Sequence, residues 1–216
     1  MGSMMGHAGM AAAAVRYLRS AGAPTSSAPA APAYEPHPRP DLRAVREDER
    51  APVDPAEFRR VLGSFASGVT VITAMSPPEG DEEARPVGFA CQSFASLSLD
   101  PPLVTFMVSR TSTTWPHIAR AGRFCVNVLG AGQGEMCRGF AVSGGDKFAG
   151  VPHRPAPVTG SPLLDGVPAW ADCTMHAVHP GGDHLIVVGR VRALDAREDG
   201  GSPLLFHKGT FGTLAD

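Results

Sequence analysis

Short apolar runs rich in β-branched residues recur along the chain from residue 69 onward, and glycine and proline separate them. Runs of this kind predict β-strands. They cover residues 69–73, 86–90, 103–108, 124–129, 169–178, 185–193 and 204–207. Apolar positions at helical spacing predict two helices between the strands, over about residues 113–121 and 133–142. The pattern therefore predicts a mainly β fold, either a barrel or a sandwich.

A further helix is predicted just before the first strand, where we expect the ordered domain to begin. Asp54 can cap this helix, Pro55 suits its first turn, and Glu57 can reach back to the amide of the cap. Gly68 is expected to end it. The apolar residues of the segment fall on one helical face, which comprises Phe58, Val61, Leu62 and Phe65.

Residues 1–53 differ in composition from the rest of the chain. Residues 21–40 are mostly Ala, Pro, Ser and Thr, and they show no apolar period. Such a segment buries too little apolar surface to offset the entropy lost on ordering. We therefore expect residues 1–53 to form a disordered or loosely ordered Ala/Pro-rich extension and residues 54–216 to form the folded domain.

Composition and charge argue against several classes of protein. The formal net charge of −2 does not suit a protein built on contacts to nucleic-acid phosphates. No apolar run approaches the roughly 20 residues needed to span a membrane. The motifs G-x-S-x-G, H-E-x-x-H, G-x-G-x-x-G and the P-loop are absent, so hydrolase, kinase and Rossmann functions lack motif support.

The cysteines predict a reducing environment. Cys91, Cys125, Cys137 and Cys173 show no C-x-x-C spacing, and three of them lie in apolar, strand-like contexts. Buried, reduced thiols fit this pattern. We therefore expect a cytoplasmic protein.

Hydroxyl groups cluster where a predicted strand meets a predicted helix. Residues 109–114 read Ser-Arg-Thr-Ser-Thr-Thr, and Pro116 follows in the first helical turn. Backbone amides and the helix dipole attract phosphate at such a place, and Arg110 adds a guanidinium. Ordinary helix capping needs only one of these hydroxyls, so phosphate binding and capping are equal alternatives on chemistry alone.

Two other segments are candidates for ligand binding. Residues 91–98 alternate small and apolar side chains, which suits either close approach to a flat heterocycle or an edge strand. Lys147, one of only two lysines, lies in a loop flanked by glycines. It is either a ligand-binding group or an ordinary loop charge.

The histidine-rich segment predicts a hairpin rather than a metal site. Pro-Gly-Gly at residues 180–182 predicts a turn between two strands. His176 and His179 are three apart on a strand and would point to opposite faces, so we expect no metal site. His184 at a pocket rim could donate a hydrogen bond to a ligand, or it could be a solvated turn residue.

Six stretches, taken together in order and spacing, resemble the short-chain flavin reductases, the small components of two-component flavin-dependent monooxygenases. They are residues 58–73, 86–103, 122–129, 146–150 (Asp-Lys-Phe-Ala-Gly), 181–184 (Gly-Gly-Asp-His) and 203–209. Each stretch alone is a weak signal. The resemblance implies an FMN-binding split β-barrel of Greek-key topology with a few flanking helices, and a homodimer with flavin near the dimer interface.

The resemblance also implies roles for individual residues. The family's histidine for the nicotinamide nucleotide corresponds to His184, the expected catalytic-site residue. The cofactor-binding stretches correspond to Gln92, Ser93, Phe94, Ala95 and Ser96 for the isoalloxazine ring and to Ser109, Arg110, Thr111, Ser112, Thr113 and Thr114 for the phosphate. Further cofactor contacts are expected from Lys147, Phe148, Asp183, Phe206 and His207.

The implied function is transfer of hydride from NADH or NADPH to N5 of FMN or FAD. The reduced flavin would then pass to a separate monooxygenase. His184 would orient the nicotinamide rather than abstract a proton, because the cofactors carry the chemistry. Two alternatives remain open: a flavoprotein that acts directly on a small molecule with tightly bound flavin, and a flavin-binding carrier without enzymatic activity. The sequence does not discriminate FMN from FAD or NADH from NADPH.

Overall fold

The computed structural model describes residues 53–78, 80 and 83–214. Within these residues lie three α-helices, α1 (Pro55–Leu62), α2 (Trp115–Ala121) and α3 (Gly134–Ala141), and a 3₁₀ helix at Ala131–Gln133. The strands are β1 (Ser67–Gly68), β2 (Thr70–Ser76), β3 (Arg85–Cys91), β4 (Ala95–Leu99), β5 (Pro102–Ser109), β6 (Arg123–Val128), β7 (His153–Pro155), β8 (Pro162–Leu164), β9 (Ala169–Gly181), β10 (His184–Ala196), β11 (Leu205–His207) and β12 (Thr210–Gly212). Apart from Val53, the predicted extension lies outside the described residues.

Seven strands form one antiparallel sheet in the order β3-β2-β6-β9-β10-β5-β4. Its two edge strands, β3 and β4, are consecutive along the chain. Between them, the Ser93 hydroxyl accepts from the Met107 N–H at 2.9 Å and donates to the Met107 carbonyl at 3.0 Å. The sheet therefore curls until the chain after one edge bonds to β5, although no strand pairing joins β3 to β4 in the described residues. The predicted mainly β class is confirmed.

Apolar side chains are buried on both faces of this sheet. Successive strand residues point to opposite faces, so Val71 and Ile72 of β2 belong to two different clusters. In the inner cluster, the rings of Phe106 and Phe124 meet edge to face with centroids 5.3 Å apart. A Cβ at Gly189 would lie 2.3 Å from Phe124 Cζ, so only glycine leaves room for that ring.

Helices and loops cover the outer face. α3 contributes Phe140, whose ring meets that of Phe148 edge to face at 5.1 Å. The buried carboxylate of Asp172 on β9 accepts from the backbone N–H groups of Val158 and Thr159 at 2.8 and 3.0 Å. Asp172 also accepts from the Thr159 hydroxyl at 2.5 Å. These bonds fix the loop before β8 onto the sheet.

All four cysteines are buried and free. Burial raises the pKa of each thiol, that of Cys173 to about 12. The prediction of buried, reduced thiols is confirmed.

Helix α1 confirms the predicted cap but differs from prediction in two respects. Asp54 Oδ1 accepts from the N–H groups of Ala56 and Glu57 at 2.8 and 3.1 Å. Glu57 does not reach back to the cap; it forms an ion pair with Arg60 at 2.6 Å. The helix ends at Gly63 rather than Gly68, because the next two N–H groups bond to carbonyls three residues back and the chain leaves the helical path.

The apolar face of α1, formed by Phe58, Val61 and Leu62 and extended by Phe65 just after the helix, is exposed. The three described α-helices have seven or eight residues each, and none is both long and apolar enough to cross a membrane.

Candidate functional site

The end of β5 and the start of β10 bring two predicted segments together. Ser109 pairs with His184 across the antiparallel ladder. The Arg110 N–H then donates to the Asp183 carbonyl at 3.0 Å. The predicted hairpin is present, with Gly182 at φ +71° in its turn. The hydroxyl-rich turn of residues 109–114 and the Asp183–His184 pair therefore lie side by side.

Some groups of the 109–114 turn hold the turn itself. Ser109 Oγ accepts from the Thr111 N–H at 3.2 Å and lies 2.8 Å from the Thr111 hydroxyl. Ser112 Oγ accepts from the Trp115 N–H at 3.2 Å and so caps α2, while Thr114 in the N-cap position makes no side-chain cap. Ser112 therefore serves as the helix cap, which is one of the two alternatives from the sequence.

Other groups of the turn are available to a ligand. The N–H groups and hydroxyls of Thr113 and Thr114 have no hydrogen-bond partner among residues 53–78, 80 and 83–214. Unpaired amides and hydroxyls in a turn suit a phosphate. Capping and ligand binding are therefore compatible at this turn, because different residues serve them.

A groove of about 350 Å³, here called the inner groove, opens beside this turn. It gathers predicted residues from three segments that are distant in sequence. Its lining comprises Phe89, Ala90, Cys91, Gln92, Ser93, Met107, Val108, Ser109, Ser112 and His184. The apolar strand residues form its floor, and the hydroxyl, amide and imidazole groups provide its polar contacts.

Ser93 contributes to the inner groove mainly by holding its wall. Both hydrogen-bonding functions of its hydroxyl are used by the backbone of Met107. Cys91 Sγ lies 3.3 Å from the same hydroxyl. Ser93 therefore fixes the neighbouring Gln92 at the groove rim.

His184 is oriented by its neighbour. Its Nδ1 lies 2.8 Å from Asp183 Oδ1, and this hydrogen bond lowers the pKa of the Asp183 carboxyl. Since a carboxylate can only accept, Nδ1 carries the proton in this pair. Neutral His184 therefore has an accepting Nε2, whereas the sequence left open a hydrogen-bond donor at a pocket rim or a solvated turn residue.

A second cavity of about 550 Å³, here called the side cavity, lies on the other side of the turn. Its lining includes Thr113, Thr114, Lys147 and Phe148, and Asp146 of the same Asp-Lys-Phe stretch. Arg85 and His117 also line it, and no sequence motif indicated either of them. A short helix with one histidine carries no recognisable pattern, so the sequence offered no signal for His117.

Lys147 and Phe148 are tied to the fold as well as to the side cavity. The Lys147 ammonium donates to the carbonyls of Gly88 and Phe140, both at 3.3 Å. Burial lowers its pKa. The ring of Phe148 packs between Phe140 and His153. This loop is thereby anchored to β3 and α3.

Other predicted residues lie away from both spaces. Phe206 lines a third cavity of about 830 Å³ beside α1, here called the helix groove, which Gln92 of the inner groove also lines. The predicted residues outside all three spaces are Phe94, Ala95, Ser96, Arg110, Thr111, Asp183 and His207. The described residues contain no group of three His, Cys, Asp or Glu side chains that could hold a metal ion.

A groove beside a curled antiparallel sheet suits a flat ligand, and the unpaired amides of the adjoining turn suit a phosphate. A family model described as a flavin reductase like domain matches residues 62–215. The chain belongs to this family. The predicted split-barrel fold and the prediction that the chain is an oxidoreductase of the flavin reductase type are confirmed.

Relatives and a solved structure agree with this assignment. A flavin reductase from Pseudomonas putida is 46% identical over 173 residues, which make up 80% of this chain and 98% of that protein. HsaB from Rhodococcus jostii, the reductase subunit of a flavin-dependent monooxygenase, is 48% identical over 160 residues, 74% of this chain and 77% of that protein. The NADH:FAD oxidoreductase SgcE6 of Streptomyces globisporus, solved with NAD and FAD fragments, gives a TM-score of 0.68 at 35% identity, covering 75% of this chain and 93% of that one.

Proposed function

We propose that this reductase transfers hydride from NADH or NADPH to FMN or FAD in the inner groove and releases reduced flavin to a separate monooxygenase. The observation that carries the proposal is that one groove is lined by residues expected to bind flavin and by the histidine expected to bind the nicotinamide nucleotide. These residues are Gln92, Ser93, Ser109 and Ser112 for flavin and His184 for the nucleotide. The role of HsaB from Rhodococcus jostii, the reductase subunit of a flavin-dependent monooxygenase, supports a partner monooxygenase for this chain.

The residues present fit a phosphorylated flavin. The unpaired N–H groups and hydroxyls of Thr113 and Thr114 can bind the phosphate, and Arg110 adds a guanidinium without a hydrogen-bond partner in the described part of the chain. When bound, flavin supplies the hydride acceptor. The apolar floor of the inner groove can exclude water from one ring face, and Ser93 keeps Gln92 at the rim.

His184 is proposed to position the nicotinamide. Asp183 accepts a hydrogen bond from Nδ1–H of His184, which keeps the proton on Nδ1. Nε2 can therefore accept a hydrogen bond from the amide NH₂ of the nicotinamide. This bond fixes a ring in the plane needed for stacking and moves no proton.

The proposal is tested by NADH and NADPH oxidation with FMN, FAD or riboflavin, using the full chain. We expect added flavin to support many turnovers per enzyme, and reduced flavin to pass an anaerobic ultrafiltration membrane. Oxidation without flavin stimulation would contradict the proposal. Flavin that co-purifies stoichiometrically and stays above the membrane would favour direct action on a small molecule instead.

We also propose that the enzyme is a homodimer in which a second copy covers the exposed apolar face of α1. The helix groove supports this, because Phe58, Leu62 and Phe65 line it together with Gln92, which also lines the inner groove. A partner seated there would lie next to the flavin site. Large exposed apolar patches of this kind mark interaction surfaces.

We further propose a cytoplasmic protein whose reductase domain follows an N-terminal extension. The family model begins at residue 62, which supports a reductase domain over residues 54–216 and an extension over residues 1–53. Four free, buried thiols support a cytoplasmic setting.

A further inference from the structure

His117 lies on α2 and lines the side cavity, and its tautomer follows from its neighbours. Its Nδ1 is 2.9 Å from Arg120 Nη2 and 3.1 Å from Ser76 Oγ. A guanidinium can only donate, so Nδ1 is an acceptor and carries no proton. The proton of the neutral ring is therefore on Nε2, and this N–H has no hydrogen-bond partner among the described residues.

The other polar groups of the side cavity are mostly donors or cations. Thr113 and Thr114 contribute unpaired N–H groups, and Lys147 and Arg85 contribute positive charges. Among the described residues that line the cavity, the one carboxylate is that of Asp146, whose Oδ1 already accepts from a backbone N–H two residues further on at 2.9 Å. The unpaired N–H donors of Thr113, Thr114 and His117 suit an anionic ligand.

We propose that His117 is a specificity-determining residue whose Nε2–H donates to the phosphate of FMN or FAD, so that phosphorylated flavin binds in preference to riboflavin. Ser76 and Arg120 are positioning residues, because they hold the ring in the tautomer that donates. This inference rests on the proposed function, since it assumes that flavin phosphate occupies the 109–114 turn.

Binding measurements on the full chain separate His117 from the rest of the site. The dissociation constants of FMN and riboflavin are measured by quenching of flavin fluorescence for the wild type, His117→Phe and His179→Phe. A donor to a charged group is lost in His117→Phe, so its FMN dissociation constant should rise about tenfold or more. Its riboflavin dissociation constant should stay within about twofold, and His179→Phe on the exposed part of β9 should change neither.

Equal weakening of FMN and riboflavin in His117→Phe would overturn the inference, because it would show a structural role. Flavin-stimulated NADH oxidation by the wild type does not depend on this result, so the proposed function would stand apart from the outcome. Ser76→Ala keeps the imidazole and should weaken FMN binding by a smaller factor. If it weakens riboflavin equally, positioning by Ser76 is wrong.

The tautomer is tested without any substitution. A long-range ¹H–¹⁵N correlation spectrum of the full chain distinguishes the two neutral histidine tautomers, and Ser76→Ala assigns the His117 signal by its shift. We expect a protonated Nε2 and an unprotonated Nδ1. A proton on Nδ1 in the neutral ring would overturn the inference even if His117→Phe failed to fold.

Discussion

His184 shows how a single bond decides what a side chain offers to a ligand. The sequence allowed a donor at the pocket rim, but the carboxylate of Asp183 accepts a hydrogen bond from Nδ1–H and so keeps the ring proton on Nδ1. The remaining nitrogen of the neutral ring accepts. The contact that fits it is an amide N–H, which nicotinamide has.

Replacing His184 by alanine removes that acceptor and leaves the 109–114 turn in place. We expect KM for NADH to rise about fivefold to tenfold, the effect of one lost hydrogen bond, and KM for flavin to change less than about twofold. Steady-state kinetics with each substrate varied in turn measures the split. His179→Ala is the matched control, and an equal rise in both KM values would contradict the nucleotide role.

The chemistry of the site could be predicted from sequence only where the groups involved are adjacent in sequence. The hydroxyl cluster at 109–114 was recognisable as a candidate phosphate site, because its members are adjacent in sequence. The two hydrogen bonds between the Ser93 hydroxyl and the Met107 backbone could not be predicted, since the two residues meet only through the curl of the sheet. The tautomer of His117 likewise depends on Ser76, which is 41 residues away.

At the scale of elements, buried polar side chains hold loops onto strands. Asp172 on β9 accepts three hydrogen bonds from the loop that precedes β8. That carboxylate is fully buried, whereas Asp165, which pairs with Arg154 at 3.5 Å, is exposed. The two aspartates therefore form a natural comparison.

Asp172→Ala should destabilise the fold by about 3 kcal/mol, because it leaves buried N–H groups without acceptors. Asp165→Ala should cost less than about 1 kcal/mol, as expected for a surface ion pair. Urea denaturation followed by circular dichroism measures both free energies of unfolding. Similar values for the two variants would mean that the loop finds other acceptors.

Long strands were predictable because burial on both faces leaves a continuous apolar run, as in β2. The seven predicted strands and both later helices are present. β4 corresponds to the edge strand that was one of the two alternatives for residues 91–98. β1, β7, β8 and β12 were not predicted, since each is at most three residues long. The C-terminal end of α1 was predicted too late, because the helix ends at Gly63 and not at Gly68.

At the scale of the whole molecule, the exposed face of α1 predicts self-association. Phe65 is 82% exposed and lines the helix groove. Phe65→Glu would place a charge in an interface formed there, so we expect a dimer of the wild type to become a monomer of about half the mass. Light scattering after size-exclusion chromatography measures this, with Val142→Glu as a control at an exposed site outside the groove. A monomeric wild type, or a dimeric Phe65→Glu, would contradict the proposed interface.

The burial of the four thiols bears on how well the enzyme resists oxidation. Reduced flavin that meets dioxygen before it reaches an oxygenase yields hydrogen peroxide, so a flavin reductase is exposed to an oxidant of its own making. Peroxide attacks thiolates, and solvent exposure speeds the reaction. Burial keeps Cys91, Cys125, Cys137 and Cys173 protonated and out of reach. The packing of the two apolar clusters thus protects the enzyme from hydrogen peroxide formed by its own product.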